Sequence, residues 1–181
     1  MRMLRLALLV VLTLAGTASA QESSQPPYLA TLEYTRFDLP HSVVSTCLVV
    51  FDDGRFQMGQ ISRFPTNGTP RFFEDSLPPE TLKSLRTILE AREFQELKIV
   101  DRDTPRIGEG ETLRGFVHHG NSGQQLFFTA LDAYGGRPPK SFPAPLSPLV
   151  DWVQASTKAV KQRKLQPLKN TKATDCWLGG H

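Results

Sequence analysis

Over "YLATLEYTRF", residues 28–37, apolar and polar side chains alternate, with Ala30, Leu32 and Tyr34 set against Thr31, Glu33 and Thr35, the period of a half-buried strand. "DLPH" then interrupts the pattern, because Pro40 has no amide proton to give to a ladder. "STCLVVF" is a β-branched run that meets "DDG" and continues as "RFQMGQIS"; an Asp-Gly pair between apolar strands predicts a hairpin. Within it Cys47, Val49 and Phe51 share one face while Leu48 and Val50 share the other. Apolar character on both faces predicts a central strand. "RFPTNGTPRFFEDSLPP" is punctuated by Pro65, Gly68, Pro70, Pro78 and Pro79, and reads as a loop with at most a short strand at Phe72 and Phe73.

The period then changes from two to between three and four. "PPETLKSLRTILEAREFQEL" spaces Leu82, Leu85, Ile88 and Leu89, then Phe94 and Leu97, as one face of a helix begun by Pro79, with Lys83, Arg86, Glu90 and Glu93 on its wet side. "KIVDRDTPRIGEGE" reads as an exposed connection that holds Glu109 and Glu111 in a solvated loop. "TLRGFVHHGNSGQQLFFTALD" predicts a second hairpin around Gly120–Gly123, and "AYGGRPPKSFPAP" a loop. In "SPLVDWVQASTKAVKQRK", Ser147 is the expected cap and Pro148 the first-turn residue of a second helix that buries Leu149, Trp152, Val153 and Val160. Strands, helix, strands, helix in that order predict an α+β fold, an antiparallel sheet of hairpins packed against two amphipathic helices.

The termini set the compartment. "MRMLRLALLVVLTLAGTASA" joins Arg2 and Arg5 to an apolar stretch and a small-residue Ala-Ser-Ala end, the anatomy of a signal peptide over residues 1–20. An exported chain follows, periplasmic or extracellular, with no membrane span after signal removal. Residues 21–27 form a polar leader expected to be disordered, 28–164 a single domain, and 165–181 an extended basic tail. The net charge of +3 falls to +1 once Arg2 and Arg5 leave. The remaining basicity is local: Lys158, Lys161, Arg163, Lys164, Lys169 and Lys172 have no acid among them. Such a run is ordinarily a solvated face, and without interleaved aromatics in an exported chain it predicts no nucleic-acid partner.

Cys47 and Cys176 are the chain's two cysteines. In an oxidising compartment they are expected to form one disulfide, closing a loop of about 130 residues that chain entropy alone values at roughly 4–5 kcal/mol. An apolar strand is the wrong setting for a reactive thiol, which needs positive, accessible surroundings. Adjacent His118 and His119 on a strand point to opposite faces, and His41 and His181 lack ligand spacing, so no metal is expected. Asp52 and Asp53 belong to a turn that favours acids for local hydrogen bonds. Asn67-Gly68-Thr69 matches a glycosylation sequon. "GGRPPKS" has the wrong spacing for a phosphate loop, and no nucleophile elbow or zinc-protease helix is present. No cofactor and no catalytic residue follow from these motifs, and the oligomeric state is open.

Two resemblances are carried by these segments. "SLPPETLKSLRTILEAREFQEL", a hairpin and "PAPLSPLVDWV", with "EYTRF" near the start, resemble the layout of emfourin-type metalloprotease inhibitors over roughly residues 28–153. That likeness implies a protein partner, a secreted metalloprotease, and a non-enzymatic inhibitor. The chain departs from that layout in its signal peptide, cysteines, proline-rich insert and basic tail, and has "DLPH" where a double-glycine loop belongs. "CLVVFDDGRF" and "KLQPLKNTKATDC" are similar to a family of exported bacterial proteins with C-x-V-x-F-x-D-G-R before a Leu-rich helix and a late cysteine, which implies no activity. The leading expectation is thus an exported binding protein. Its first contact candidate is the stretch Phe37, Asp38, Leu39, Pro40 and His41, read as a stiff loop with an exposed apolar tip. The other readings are an envelope accessory protein that touches anionic cell-envelope material through its basic tail, and a hydrolase whose Asp or His residues meet only in the fold.

Overall fold

The computed structural model describes residues 28–39, 41–63, 68–99, 108–120, 122–133, 135–136, 138–163 and 165–168. Residues 1–20, expected to be a signal peptide, the expected leader over 21–27, Asn67 of the sequon, His181 and Cys176 lie outside them. β1 (Tyr28–Leu39) and β2 (Ser42–Phe51) form a long hairpin closed by the His41 amide, which donates to the Asp38 carbonyl at 2.6 Å. β1 ends within "DLPH", one residue before Pro40. At the other end of β2 the Asp-Gly signal holds: Gly54 adopts φ 88°, and its amide donates to the Phe51 carbonyl at 3.0 Å before β3 (Arg55–Arg63). Glycine takes this left-handed conformation without the steric cost a side chain adds.

β4 (Arg71–Ser76) is longer than the two phenylalanines implied and lies at the sheet edge. β5 (Gly108–His119) and β6 (Ser122–Leu131) are the second hairpin, and β5 pairs with β1. Among the described residues the sheet is six-stranded and antiparallel, in the order β4-β3-β2-β1-β5-β6. β2 is interior, as its two apolar faces require. The architecture is α+β.

Helices cover one face. α1 (Pro79–Glu90) buries Leu85 and Leu89; α3 (Ser147–Gln162) buries Leu149, Trp152, Val153 and Val160 against the same core as Leu32, Leu48, Met58 and Leu113. The Trp152 indole donates to the Thr81 carbonyl at 3.1 Å, tying α3 to α1. Arg86 ties α1 to the β2–β3 turn, reaching the Asp52 carbonyl at 2.8 Å and its carboxylate at 2.7 Å.

Two helix expectations change. The first helix is not continuous: Ala91 is extended (φ −61°, ψ 131°), and a short α2 (Arg92–Gln95) follows. The break carries Phe94 into the core at 1% exposure, and the Gln124 side-chain amide on β6 donates to the Phe94 and Leu97 carbonyls, both at 3.1 Å. A side chain 30 residues away thus supplies the helix end, which local periodicity does not encode. Ser147 does not cap α3 either. It is the helix's first residue, preceded by a 3₁₀ turn over Ala144–Leu146, and makes no capping bond. Pro148 is in the first turn as expected.

Candidate binding cleft

The helix-side face of β1 reads Ala30, Leu32, Tyr34, Arg36, Asp38. The first two are fully buried and Tyr34 is 6% exposed, but Arg36 is open to solvent. Beyond Tyr34 the sheet runs past the helical cover, and the uncovered floor with one side of α3 bounds a cleft of about 1060 Å³. The α3 wall is the stripe Asp151, Gln154, Lys158 and Lys161, at the three-to-four spacing of one helix side. Val44, 41% exposed, is the apolar floor, and Lys140 and Phe142 close the β6 side.

Polar groups on the floor are joined to one another. The Gln154 amide donates to the Tyr34 hydroxyl at 2.7 Å, and Arg36 pairs with Glu111 at 3.4 Å. Burial, and after it the hydrogen bond to Glu111 and that carboxylate's charge, push the Tyr34 hydroxyl well above the ordinary tyrosine range. Tyr34 therefore keeps its proton well above neutral pH. The lining holds five acids (Asp38, Glu109, Glu111, Asp132, Asp151) and four bases (Arg36, Lys140, Lys158, Lys161). With the signs nearly balanced, net charge gives little discrimination; shape and paired hydrogen bonds set what fits.

The contact candidates fall in different places. Phe37 to Leu39 belong to β1 rather than a loop, Pro40 lies outside the described residues, and His41 is an exposed turn residue. Phe37 is 8% exposed, so it is no protruding tip. It packs over Gly110 of β5, where an added Cβ would stand 2.9 Å from the Phe37 ring and 2.4 Å from the Ala130 carbonyl. Both Phe37 and Asp38 are among the residues that line the cleft. Glu109 and Glu111 are likewise strand residues, opposite Asp38 and Arg36, and not members of a solvated loop. The strand period hid this because Gly108 and Gly110 read as loop.

His118 and His119 do diverge: His118 stacks edge-on with Phe116, whereas His119 bonds Gln124 at 3.1 Å. Among the described residues no cluster of His, Cys, Asp or Glu is arranged to hold a metal ion. Asp53 accepts from the Arg55 backbone amide at 3.0 Å and its guanidinium at 2.8 Å, and these bonds hold its carboxyl below the usual range. Cys47 is fully buried beside Val49 and Phe51 on the sheet face away from the helices. Among the described residues no helix is long and apolar enough to cross a membrane.

Sequence reasoning missed the cleft, although one signal was present: Asp151, Gln154, Lys158 and Lys161 repeat at helical spacing beside the apolar stripe of α3. No family model, curated protein or solved structure matches the chain.

Proposed function

We propose that the chain is an exported, non-enzymatic binding domain that seats an extended segment of a protein partner in the cleft beside α3. The observation that carries this is the lining: a cleft of about 1060 Å³ with apolar Val44 on its floor and nearly balanced charges around it. A peptide offers the same mixture, a polar backbone with side chains of both signs. The Gln154–Tyr34 bond joins the α3 wall to the floor before a partner arrives, which lowers the entropy cost of binding. In a catalytic cleft a nucleophile and a base face an unfilled position. Here Tyr34 already accepts from Gln154 and lies beside the Glu111 carboxylate.

The partner class is a secreted protease, and the activity is inhibition, in keeping with the emfourin-like order of elements. The test is inhibition of a panel of thermolysin-like metalloproteases by the mature protein and by Val44→Glu. Inhibition at or below about 10 μM, weakened by about tenfold or more in the variant, is expected. No inhibition by correctly folded protein overturns the inhibitor assignment. Inhibition untouched by Val44→Glu removes the cleft from it.

A further inference from the structure

We propose that the cleft is charge-polarised along its length and seats a segment that is basic toward the β5–β6 end and acidic toward the β2–β3 end, with the two charges about four or five residues apart. This deepens, and rests on, the reading of the cleft as the seat of an extended peptide. The starting point is the course of α3 over the sheet. Gln154 donates to the Tyr34 hydroxyl on β1, and Arg163 pairs with Asp75 on β4, both at 2.7 Å. The nine residues from Gln154 to Arg163 rise about 13 Å, and β1 to β4 is three strand spacings, roughly 14 Å. α3 thus crosses the strands in sheet order. By the same rise Asp151 stands level with β5, Lys158 with β2 and Lys161 with β3.

The floor divides in the same way. β2 and β3 line it with Ser42, Val44, Thr46 and Gln60, all uncharged, whereas β5 and β6 with the residue that follows it supply Glu109, Glu111 and Asp132. Glu111 pairs with Arg36 of β1, so those two charges offset each other at mid-cleft. Asp38 lies opposite Glu109 across β1–β5, and the Asp132 amide donates to the Glu109 carbonyl at 3.1 Å, so three carboxylates follow one another across the sheet. Asp151 adds another from α3, and Lys140 is the base among the described lining residues at that end. Lys158 and Lys161 occupy the other end, over uncharged strands.

Lys158, Lys161, Glu109, Asp132 and Asp151 are exposed, and among the described residues none of them is in an ion pair. Like charges on neighbouring strands repel, and a basic side chain laid over them relieves that repulsion; the two lysines, about one helical turn apart, offer the same to an acidic one. Net charge is silent here, but its separation sets an orientation, because a segment laid in backwards brings like charges together at both ends. Asp151 and Lys161 are about 15 Å apart along α3, and an extended chain advances about 3.3 Å per residue, which fixes the spacing of the two charges.

The test uses the mature protein and an array of random-sequence ten-residue peptides, with Val44→Glu as the control for the cleft. Peptides retained by the parent and lost in Val44→Glu are the cleft's ligands. They are expected to carry Lys or Arg about four or five residues from Asp or Glu, in either order, several times more often than the array as a whole. Their Kd, read by fluorescence anisotropy, is expected to rise about tenfold or more in the double variant Lys158→Glu, Lys161→Glu, and to recover when the acidic residue of the peptide is replaced by lysine. The double variant Glu109→Lys, Asp132→Lys is expected to weaken the same peptides and to recover on replacement of the basic residue by glutamate. Ligands that lack the spacing, an unchanged Kd in the variants, or losses that no charge replacement in the peptide restores overturn the charge orientation and leave the peptide cleft standing. An array with no peptide that depends on Val44 overturns the cleft reading itself, and this inference with it.

Discussion

Val44 and Leu48 lie on the same strand and the same face, one helix-covered and one not. Leu48 is 1% exposed and pairs with Met58 across β2–β3; Val44, four residues earlier, is 41% exposed in the cleft. The β1–β5 ladder repeats the contrast with charges. Glu33 pairs with Arg114 on the face away from the helices, with the Glu33 side chain 5% exposed and a 2.7 Å bond. Arg36 pairs with Glu111 three residues on, at 3.4 Å, with Arg36 73% exposed. The first comparison sets two aliphatic residues of one face side by side and the second two Arg–Glu pairs across β1–β5, while burial differs. On the helix side, what a strand residue contributes is set by what lies above it.

Four measurements sharpen that contrast. The largest effect is expected from Leu48→Ala, a loss of about 3–4 kcal/mol in urea unfolding, against less than about 0.5 for Val44→Ala. Equal losses would mean that the cleft end is packed like the core. Next, Arg114→Ala leaves the buried Glu33 carboxylate unpaired and is expected to cost about 2–3 kcal/mol, discounted because the arginine is itself 35% exposed, whereas Arg36→Ala costs at most about 0.5.

A smaller loss of about 1 kcal/mol is expected for Tyr34→Phe, which removes the hydroxyl between Gln154 and Glu111. Its pH dependence has a definite sign. The folded-state value is raised above the ordinary tyrosine value of 10.0, so the contribution is complete below about pH 10 and falls away as pH rises further. Stability measured from pH 9 to 11 should therefore decline less steeply in Tyr34→Phe than in the parent. The smallest effect is at Asp53: its carboxyl is expected to titrate below 3.8 by NMR, moving upward in Arg55→Ala, with little change in global stability because the turn is solvent-exposed.

Much of the fold was legible from local pattern. The Asp52-Asp53-Gly54 turn, both hairpins, the interior position of β2, the buried stripe of α3 and the opposite orientation of His118 and His119 each follow from a two- or four-residue period or from one turn residue. The misses share a cause. Ala91 breaks the first helix because Phe94 is drawn into the core and Gln124 holds the carbonyls beyond it, a partnership made by residues far apart in the chain. Glycines at 108 and 110 imitate a loop, yet Gly110 is in a strand where Phe37 and the Ala130 carbonyl leave no room for a side chain. Phe37 became a surface candidate because proline nearby signals a loop, whereas the strand period places it on the face where it is buried.

The sequence by itself determined the elements and the inner faces of the sheet, because apolar periodicity needs no knowledge of neighbours: alternate residues of a strand share a face whatever covers it. It also supplied two cysteines and a basic, acid-free stretch. Only the tertiary structure decided which part of that face is core and which is cleft. The boundary at Tyr34 is set by how far α3 reaches over the sheet, and the register of β1 with β5 brings Arg36 to Glu111. Burial is a property of the layer above a residue, and a chain contains no local record of where that layer ends.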